Sequence, residues 1–191
     1  MIINNVLIIA TFIALIMILI SNTWRIRVAG LAIVYLLSFI SILQIWPVAL
    51  ASVKLIAGWM GVVLISASQV TKNDNDRLKQ WNSQSIFRLL ATALIWVVIG
   101  AEVGSFNEWI PIPYTNLLIG LNIIAGGLMF ASVNQTVIDV IIGVLTFLAG
   151  FDVIYSSLEG SALVTGIFAL INIFISLLTT YFYSPSIKGV K

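Results

Sequence analysis

The sequence predicts an all-α fold, a polytopic transmembrane helical bundle with about seven spans. Of the 191 residues, 61% are hydrophobic and 8% are charged, whereas soluble domains carry about 25% charged residues. Apolar runs recur along the chain, each close to the ~20 residues that cross the hydrocarbon layer of a bilayer. The basic residues also separate to one side when these runs are threaded through a membrane. We therefore expect residues 1–191 to form a single integral membrane domain.

Three apolar runs occupy the first part of the chain, at 2–21, 28–45 and 47–68. The first lacks a positive start and a small-residue cleavage site, so we interpret it as a retained helix and not a signal peptide. The second and third divide at Trp46-Pro47, because proline suits the first turn of a helix and disfavours helix in the residue before it. The alternative is one long kinked helix, which would be about twice the length that a bilayer requires.

Four further spans are expected at 86–106, 115–132, 137–157 and 161–183. The polar stretch 69–85 predicts a cytoplasmic loop between the third and fourth spans. Its Asp74 and Asp76 do not complete a calcium-binding loop, since Leu78 occupies the next ligand position. Pro111 and Pro113 end the fourth helix, because neither residue can continue it.

The distribution of positive charge predicts that the N-terminus lies outside and the C-terminus in the cytoplasm. Cytoplasmic segments of membrane proteins are enriched in lysine and arginine. With this orientation the inner segments hold eight of the nine basic residues, namely Arg25, Arg27, Lys72, Arg77, Lys79, Arg88, Lys188 and Lys191. Trp46 and Trp109 are expected at the outer headgroup level, where aromatic side chains concentrate.

Among the charged residues inside the predicted spans, Lys54, Glu102 and Asp152 form a candidate intramembrane charge cluster. Side chains lean towards the N-terminus of their own helix, so these three converge on one layer in the outer third of the membrane. One interpretation is an internal ion pair of Lys54 with Asp152 or Glu102, and another is a proton or ion pathway. The alternative is that Lys54 snorkels to the headgroups while both acids are solvated at the interface.

The remaining polar residues in the spans have structural interpretations. Asn122 and Asn172 lie near mid-membrane, where amides usually form hydrogen bonds between packed helices. Thr136 and Asp139 stand three residues apart at the start of the sixth span. That spacing is typical of a helix cap, and the acid suits the positive end of a helix.

An offset of 50 residues brings several unusual positions into register. It aligns Gly100 with Gly150, Glu102 with Asp152, and Asn122 with Asn172. The match indicates a parallel repeat of two helical hairpins, with chance similarity in an apolar sequence as the alternative. Gly100 and Gly104 also form a small-xxx-small pair, a pattern typical of close helix packing in membranes.

The sequence contains few groups with which to perform chemistry. It has no cysteine and no histidine, which excludes disulfides, thiolate-held clusters, His-ligated haem and nearly all zinc sites. It also lacks a P-loop, a G-x-S-x-G elbow and a dinucleotide fingerprint. We therefore expect no enzyme activity, no catalytic or metal-binding residues and no cofactor.

These observations favour a non-catalytic integral subunit of a larger multi-subunit complex in the cell (inner) membrane, one that converts energy or translocates ions. In its short loops and few buried charges the chain resembles, in general character only, the small hydrophobic subunits of ion-pumping respiratory or antiporter complexes. The alternative is a stand-alone small transporter or channel with Lys54, Glu102 and Asp152 lining an outward-facing cavity. The expected partners are the lipid bilayer and other integral subunits but no nucleic acid, with a bound lipid or quinone left open.

Overall fold

The computed structural model describes residues 2–21, 23–70, 83–134 and 136–183. Within them the chain forms seven α-helices and no strand, which confirms the predicted fold class. The helices are α1 (Ile2–Ile20), α2 (Trp24–Leu43), α3 (Val48–Val70), α4 (Ser83–Trp109), α5 (Tyr114–Val133), α6 (Val137–Leu158) and α7 (Ala162–Tyr183). Each predicted span corresponds to one helix. Helices suit a lipid environment because they satisfy their backbone hydrogen bonds internally.

Six of the helices, α2 to α7, are long and apolar enough to cross a membrane. The first helix is apolar over Asn4–Ile20 and is slightly shorter. It nevertheless lies along α5 in parallel: Asn4 donates a hydrogen bond to Thr115 at 3.2 Å, and Leu15 lies against Gly126 eleven residues further along both helices. Eleven residues of helix cover about 16 Å, so α1 passes through much of the same layer as α5.

The structure corrects the predicted bounds of the second and fourth spans. The second helix begins at Trp24 and not at 28, so Arg25 and Arg27 lie inside it. The fourth helix extends to Trp109 and not 106, so the three residues before Ile110 are helical. The predicted loop 69–85 is shortened at both ends by α3 and α4, and its remaining residues 71–82, like the tail 184–191, lie outside the described residues.

The chain reverses direction at Trp46-Pro47, as predicted. Trp46 N donates to Ile42 O at 2.9 Å and closes the end of α2. Pro47 O then accepts hydrogen bonds from Leu50 and Ala51 and opens α3. Proline lacks an N–H, which costs nothing in the first turn of a helix because that donor has no partner inside the helix. Two separate helices, and not one long kinked helix, therefore occupy this region.

Helix α6 is central, because it packs against α5, α2 and α7. Glycines let it approach α5 closely. A Cβ on Gly150 would lie 2.7 Å from Gly120 O, and one on Gly143 would lie 2.8 Å from Gly127 O. Contacts as close as these require glycine on both helices, so larger residues would separate α5 from α6. On its other side α6 packs against α2. The largest cluster of buried apolar side chains, which includes Leu15, Leu31, Ile123 and Leu145, joins α1, α2, α5 and α6, and Ile65 adds α3 to it.

The remaining helices lie at the periphery of the bundle. Helix α3 packs chiefly against α7 and α2, and α4 packs against α5 and α1. Of the most apolar 18-residue stretch of α4, only 11% is buried, compared with 61% for α6. Helices α4 and α6 therefore have very different surroundings, which determines how the acid on each of them is placed.

Candidate functional site

The structure brings Lys54 of α3 and Asp152 of α6 together as a buried ion pair. Lys54 Nζ lies 3.1 Å from Asp152 Oδ1 and 3.5 Å from the Asp152 carbonyl oxygen. Each side chain is 5% exposed. A lone charge in such a place would be costly to bury, and the opposite charge within hydrogen-bond distance offsets that cost. The prediction that Lys54 pairs with one of the two acids is confirmed, and its partner is Asp152.

Two aromatic rings enclose the ammonium group of Lys54. It lies 4.9 Å from the centroid of the Trp46 ring and 6.0 Å from that of Phe168. These distances suit cation–π attraction, in which the negative face of a ring stabilises a cation. Trp46 was expected at the outer headgroup level, but it is 6% exposed and covers the ion pair. The α2–α3 turn folds back over Lys54, which the local sequence did not indicate.

Glu102 does not join this cluster, which corrects the predicted group of three. Its side chain is exposed on α4, and no described residue forms an ion pair with it. The prediction was wrong because it considered only how deep each residue lies in the membrane and not which helices are neighbours. Glu102 lies on a peripheral helix that packs chiefly against α5 and α1.

The two mid-membrane asparagines also differ from each other. Asn172 of α7 accepts a hydrogen bond from Tyr35 of α2 at 3.4 Å, so it joins two helices as predicted. Asn122 donates to Leu118 O of its own helix at 2.7 Å, and its Oδ1 has no partner among the described residues. Asn122 is buried, but the hydrogen bond between helices that was expected for it is not formed. The side-chain amide of α5 that does join two helices is Asn116, whose Oδ1 accepts a hydrogen bond from Ser41 of α2 at 3.0 Å.

A second ion pair lies at the opposite end of the bundle. Thr136 Oγ1 accepts a hydrogen bond from Asp139 N, which confirms the predicted cap of α6. The Asp139 side chain also pairs with Arg27 of α2, and Arg27 Nε donates to Ser21 O at 2.7 Å. The role of Arg27 was not predicted, because the second span was expected to begin only at residue 28. The sequence did contain a signal for the earlier start of this helix, because its apolar pattern already begins at Trp24.

The buried stripe of α7 was missed as well. Its buried residues are Thr165, Ala169, Asn172, Ser176 and Thr179. They recur every three or four positions, which is the period of one helix face. Ser176 lies against Gly61 of α3, so small residues on both helices allow close packing. The signal in the sequence was the seven-residue spacing of Thr165, Asn172 and Thr179 within an apolar run.

The two ion pairs connect three helices. The pair Lys54–Asp152 links α3 to α6, and Arg27–Asp139 links α2 to α6. Thus α6 carries the acid of each ion pair found in the described part of the chain. Among those residues, no three Asp, Glu, His or Cys side chains are grouped as metal ligands would be.

The fold and these contacts define the protein as a multi-pass helical membrane protein whose central helix is anchored by two ion pairs. In comparisons with known proteins, the chain matches no family model, no curated protein and no solved structure.

Proposed function

We propose that this protein is a non-catalytic integral subunit of a larger complex in the cell's inner membrane, one that converts energy or translocates ions. The observation that carries the proposal is the outward face of α4. This face, defined here by Val97, Gly100, Ala101, Gly104 and Ser105, is exposed along its whole length. A Cβ added to Gly100 or Gly104 would meet nothing within 4 Å.

Small residues suit contact with another helix better than contact with lipid. Between helices they allow the backbones to approach closely, and in that position they gain van der Waals contacts and hydrogen bonds. The glycines of α5 and α6 already have this role inside the bundle. By the same reasoning, Gly100 and Gly104 are placed to receive a helix from another polypeptide.

Helix α7 supplies a contrast, because its outward face is suited to lipid. That face carries Leu163, Leu170 and Phe174, which are 71%, 68% and 63% exposed. Large apolar side chains of this kind are typical of surfaces that contact acyl chains. Helix α4 also exposes large side chains, at Phe87, Leu90 and Leu94, and α7 has one open glycine, Gly166. The contrast is therefore confined to the second half of α4, where two open glycines lie about one turn apart, as a partner-facing surface would require.

Glu102 borders the outward face of α4 and favours the same interpretation. Ionisable residues in spans usually face protein or water and are paired with another group. Glu102 has no such partner among the described residues. A basic or hydrogen-bonding group on a neighbouring subunit would supply one.

The alternative function, a stand-alone transporter or channel, would need an outward-facing cavity at the charged residues. The cavity beside Lys54 and Asp152 has a volume of about 10 Å³. This space suits a single water molecule and is too small for a hydrated ion. The geometry therefore favours the subunit, with the ion pair as a structural connection between α3 and α6.

The proposed orientation places the start of α2, α4 and α6 on the cytoplasmic side. Arg27 and Asp139 bring the starts of α2 and α6 to the same end of the bundle. Arg25 and Arg27 lie in the first turn of α2, and Arg88 lies near the start of α4. Positive charge at this end supports the proposed arrangement, with the N-terminus outside and the C-terminus in the cytoplasm.

Site-specific crosslinking tests the proposal directly, because the natural chain has no cysteine. Val97→Cys places a thiol on the outward face of α4, and Leu170→Cys places a matched thiol on α7. The two side chains are similarly exposed, at 72% and 68%. We expect a photoactivatable maleimide to join Val97→Cys to a different polypeptide in native membranes, while Leu170→Cys gives lipid adducts.

Purification in mild detergent supplies the second measurement. The proposal requires the crosslinked polypeptide to co-purify with this chain in fixed stoichiometry, and Gly100→Leu with Gly104→Leu should remove both the crosslink and the co-purification. Recovery of a lone monomer with no crosslink at Val97→Cys would refute the proposal. A crosslink only to a second copy of this chain would replace it with a homo-oligomer.

A further inference from the structure

A small cavity lies between α2, α3 and α6 beside the Lys54–Asp152 pair. Its volume is about 10 Å³, close to the smallest space that holds one water molecule. Tyr35 and Ser38 of α2 line it together with both charged residues. Empty cavities in proteins are apolar, whereas a water molecule needs two to four polar partners. This cavity has the polar lining that a water site needs.

Ser38 is the unexplained group at this cavity. It is 4% exposed, and its hydroxyl has no hydrogen-bond partner among the described residues. Buried hydroxyls nearly always have one. Several other buried hydroxyls donate to a carbonyl of their own helix, as Thr146 does to Ile142 at 2.8 Å and Ser156 to Val153 at 3.0 Å. The Ser38 hydroxyl makes no such bond and lines the cavity instead.

The ion pair also retains unused hydrogen-bonding capacity. An ammonium group has three donors, and a carboxylate can accept about four hydrogen bonds. Among the described residues, the Asp152 carboxylate accepts one hydrogen bond, from Lys54. Both charged groups therefore have donors or acceptors left for a further partner in the adjoining space.

We propose that this cavity binds one water molecule, held by the Ser38 hydroxyl and by the Lys54–Asp152 pair. The water supplies the missing partner of Ser38 and adds a hydrogen bond to the buried charges. It extends the connection between α3 and α6 to α2, so three helices meet at one hydrated point. The inference does not depend on the protein being a subunit of a complex.

A structure of the purified full chain at a resolution that shows ordered water is the deciding measurement. We expect a density peak in the cavity at a hydrogen-bonding distance, about 2.6–3.2 Å, from Ser38 Oγ and from either charged group. An empty cavity with the Ser38 hydroxyl turned to a carbonyl of its own helix would overturn the proposal.

The sign of a stability change supplies an independent check. If the water is present, Ser38→Ala removes one of its partners and lowers the melting temperature more than the matched variant Ser156→Ala does. Ser156 is also a buried helical serine, at 1% exposed, and its hydroxyl bonds to its own helix. If the cavity is dry, Ser38→Ala removes an unpaired hydroxyl, and an unchanged or raised melting temperature would contradict the water site.

Discussion

Helices α4 and α6 each carry one acid about two turns before their final residue, and the two acids have opposite surroundings. Asp152 of α6 is 4% exposed and paired with Lys54, whereas Glu102 of α4 is exposed and has no ion-pair partner among the described residues. The local sequences around them are alike, Gly-Ala-Glu-Val and Gly-Phe-Asp-Val. The difference must therefore come from the neighbours of each helix.

The comparison extends to other positions that the 50-residue offset aligns. Gly150 lies against the backbone of α5, whereas Gly100 has open space around it. Asn172 accepts a hydrogen bond from another helix, whereas Asn122 bonds to its own. The aligned residues thus share a sequence pattern without sharing an environment. An acid or glycine in a span indicates an internal contact only if its helix is central.

The largest difference is expected between variants of the two acids. Asp152→Asn leaves Lys54 buried without an opposite charge and should lower the free energy of unfolding by about 3–5 kcal/mol. Glu102→Gln should leave it nearly unchanged, because the side chain is exposed. Unfolding of the purified protein in mixed detergent micelles measures both.

A double variant separates the loss of the pair from the cost of the unpaired charge. Lys54→Met combined with Asp152→Leu should recover most of the stability lost in Asp152→Asn, because apolar groups of similar volume can replace a buried pair. Equal effects of Asp152→Asn and Glu102→Gln would contradict the assigned difference between the two acids.

Alanine should destabilise the protein at only one of the two aligned glycines. A Cβ at position 150 would lie 2.7 Å from both Gly120 O and Ile124 N. Backbone atoms of a packed helix cannot move aside cheaply, so Gly150→Ala should destabilise by about 1–3 kcal/mol. Gly100→Ala meets no atom and should be neutral or slightly stabilising, since alanine favours helix. The same unfolding assay measures both, and a loss of stability with Gly100→Ala alone would reverse the comparison.

The smallest difference is expected between the two asparagines. Asn172→Leu removes the hydrogen bond from Tyr35 and should cost about 1 kcal/mol, a typical value for such bonds between membrane helices. Asn122→Leu removes an amide whose oxygen has no partner in the described part of the chain, so stability should stay the same or rise. If Asn122→Leu proves the more harmful of the two, then Asn122 has a partner that the hydrogen bonds described above do not include.

Much of the fold was predictable because the relevant information is local. The number of helices follows from the length of the apolar runs, the α2–α3 turn follows from Pro47, and the cap of α6 follows from Thr136. Each of these depends on a few consecutive residues. The end of the fourth helix was misplaced by three residues. Asn107, Glu108 and Trp109 are polar or interfacial in character, and they are nevertheless helical.

The candidate site was only half predictable. Depth in the membrane correctly placed Lys54 and Asp152 in one layer, since depth depends on position along a span. Depth in the membrane could not show that Lys54 pairs with Asp152 and not with Glu102. It also could not predict that Trp46 lies over the ammonium group of Lys54, or that Arg27 pairs with Asp139. Arg27 and Asp139 are 112 residues apart in the chain, so no local pattern connects them.

The amino-acid sequence therefore established the class of protein, its apolar helices, the turn between α2 and α3, and the shared level of Lys54 and Asp152. The tertiary structure decided which helices are central, which acid is paired and which glycines are in contact. The reason is that lipid and protein interior are both apolar, so the same residues suit either face of a helix. Rotation and neighbours are set by close contacts between distant segments, such as Gly120 with Gly150, and these exist only once the helices have packed.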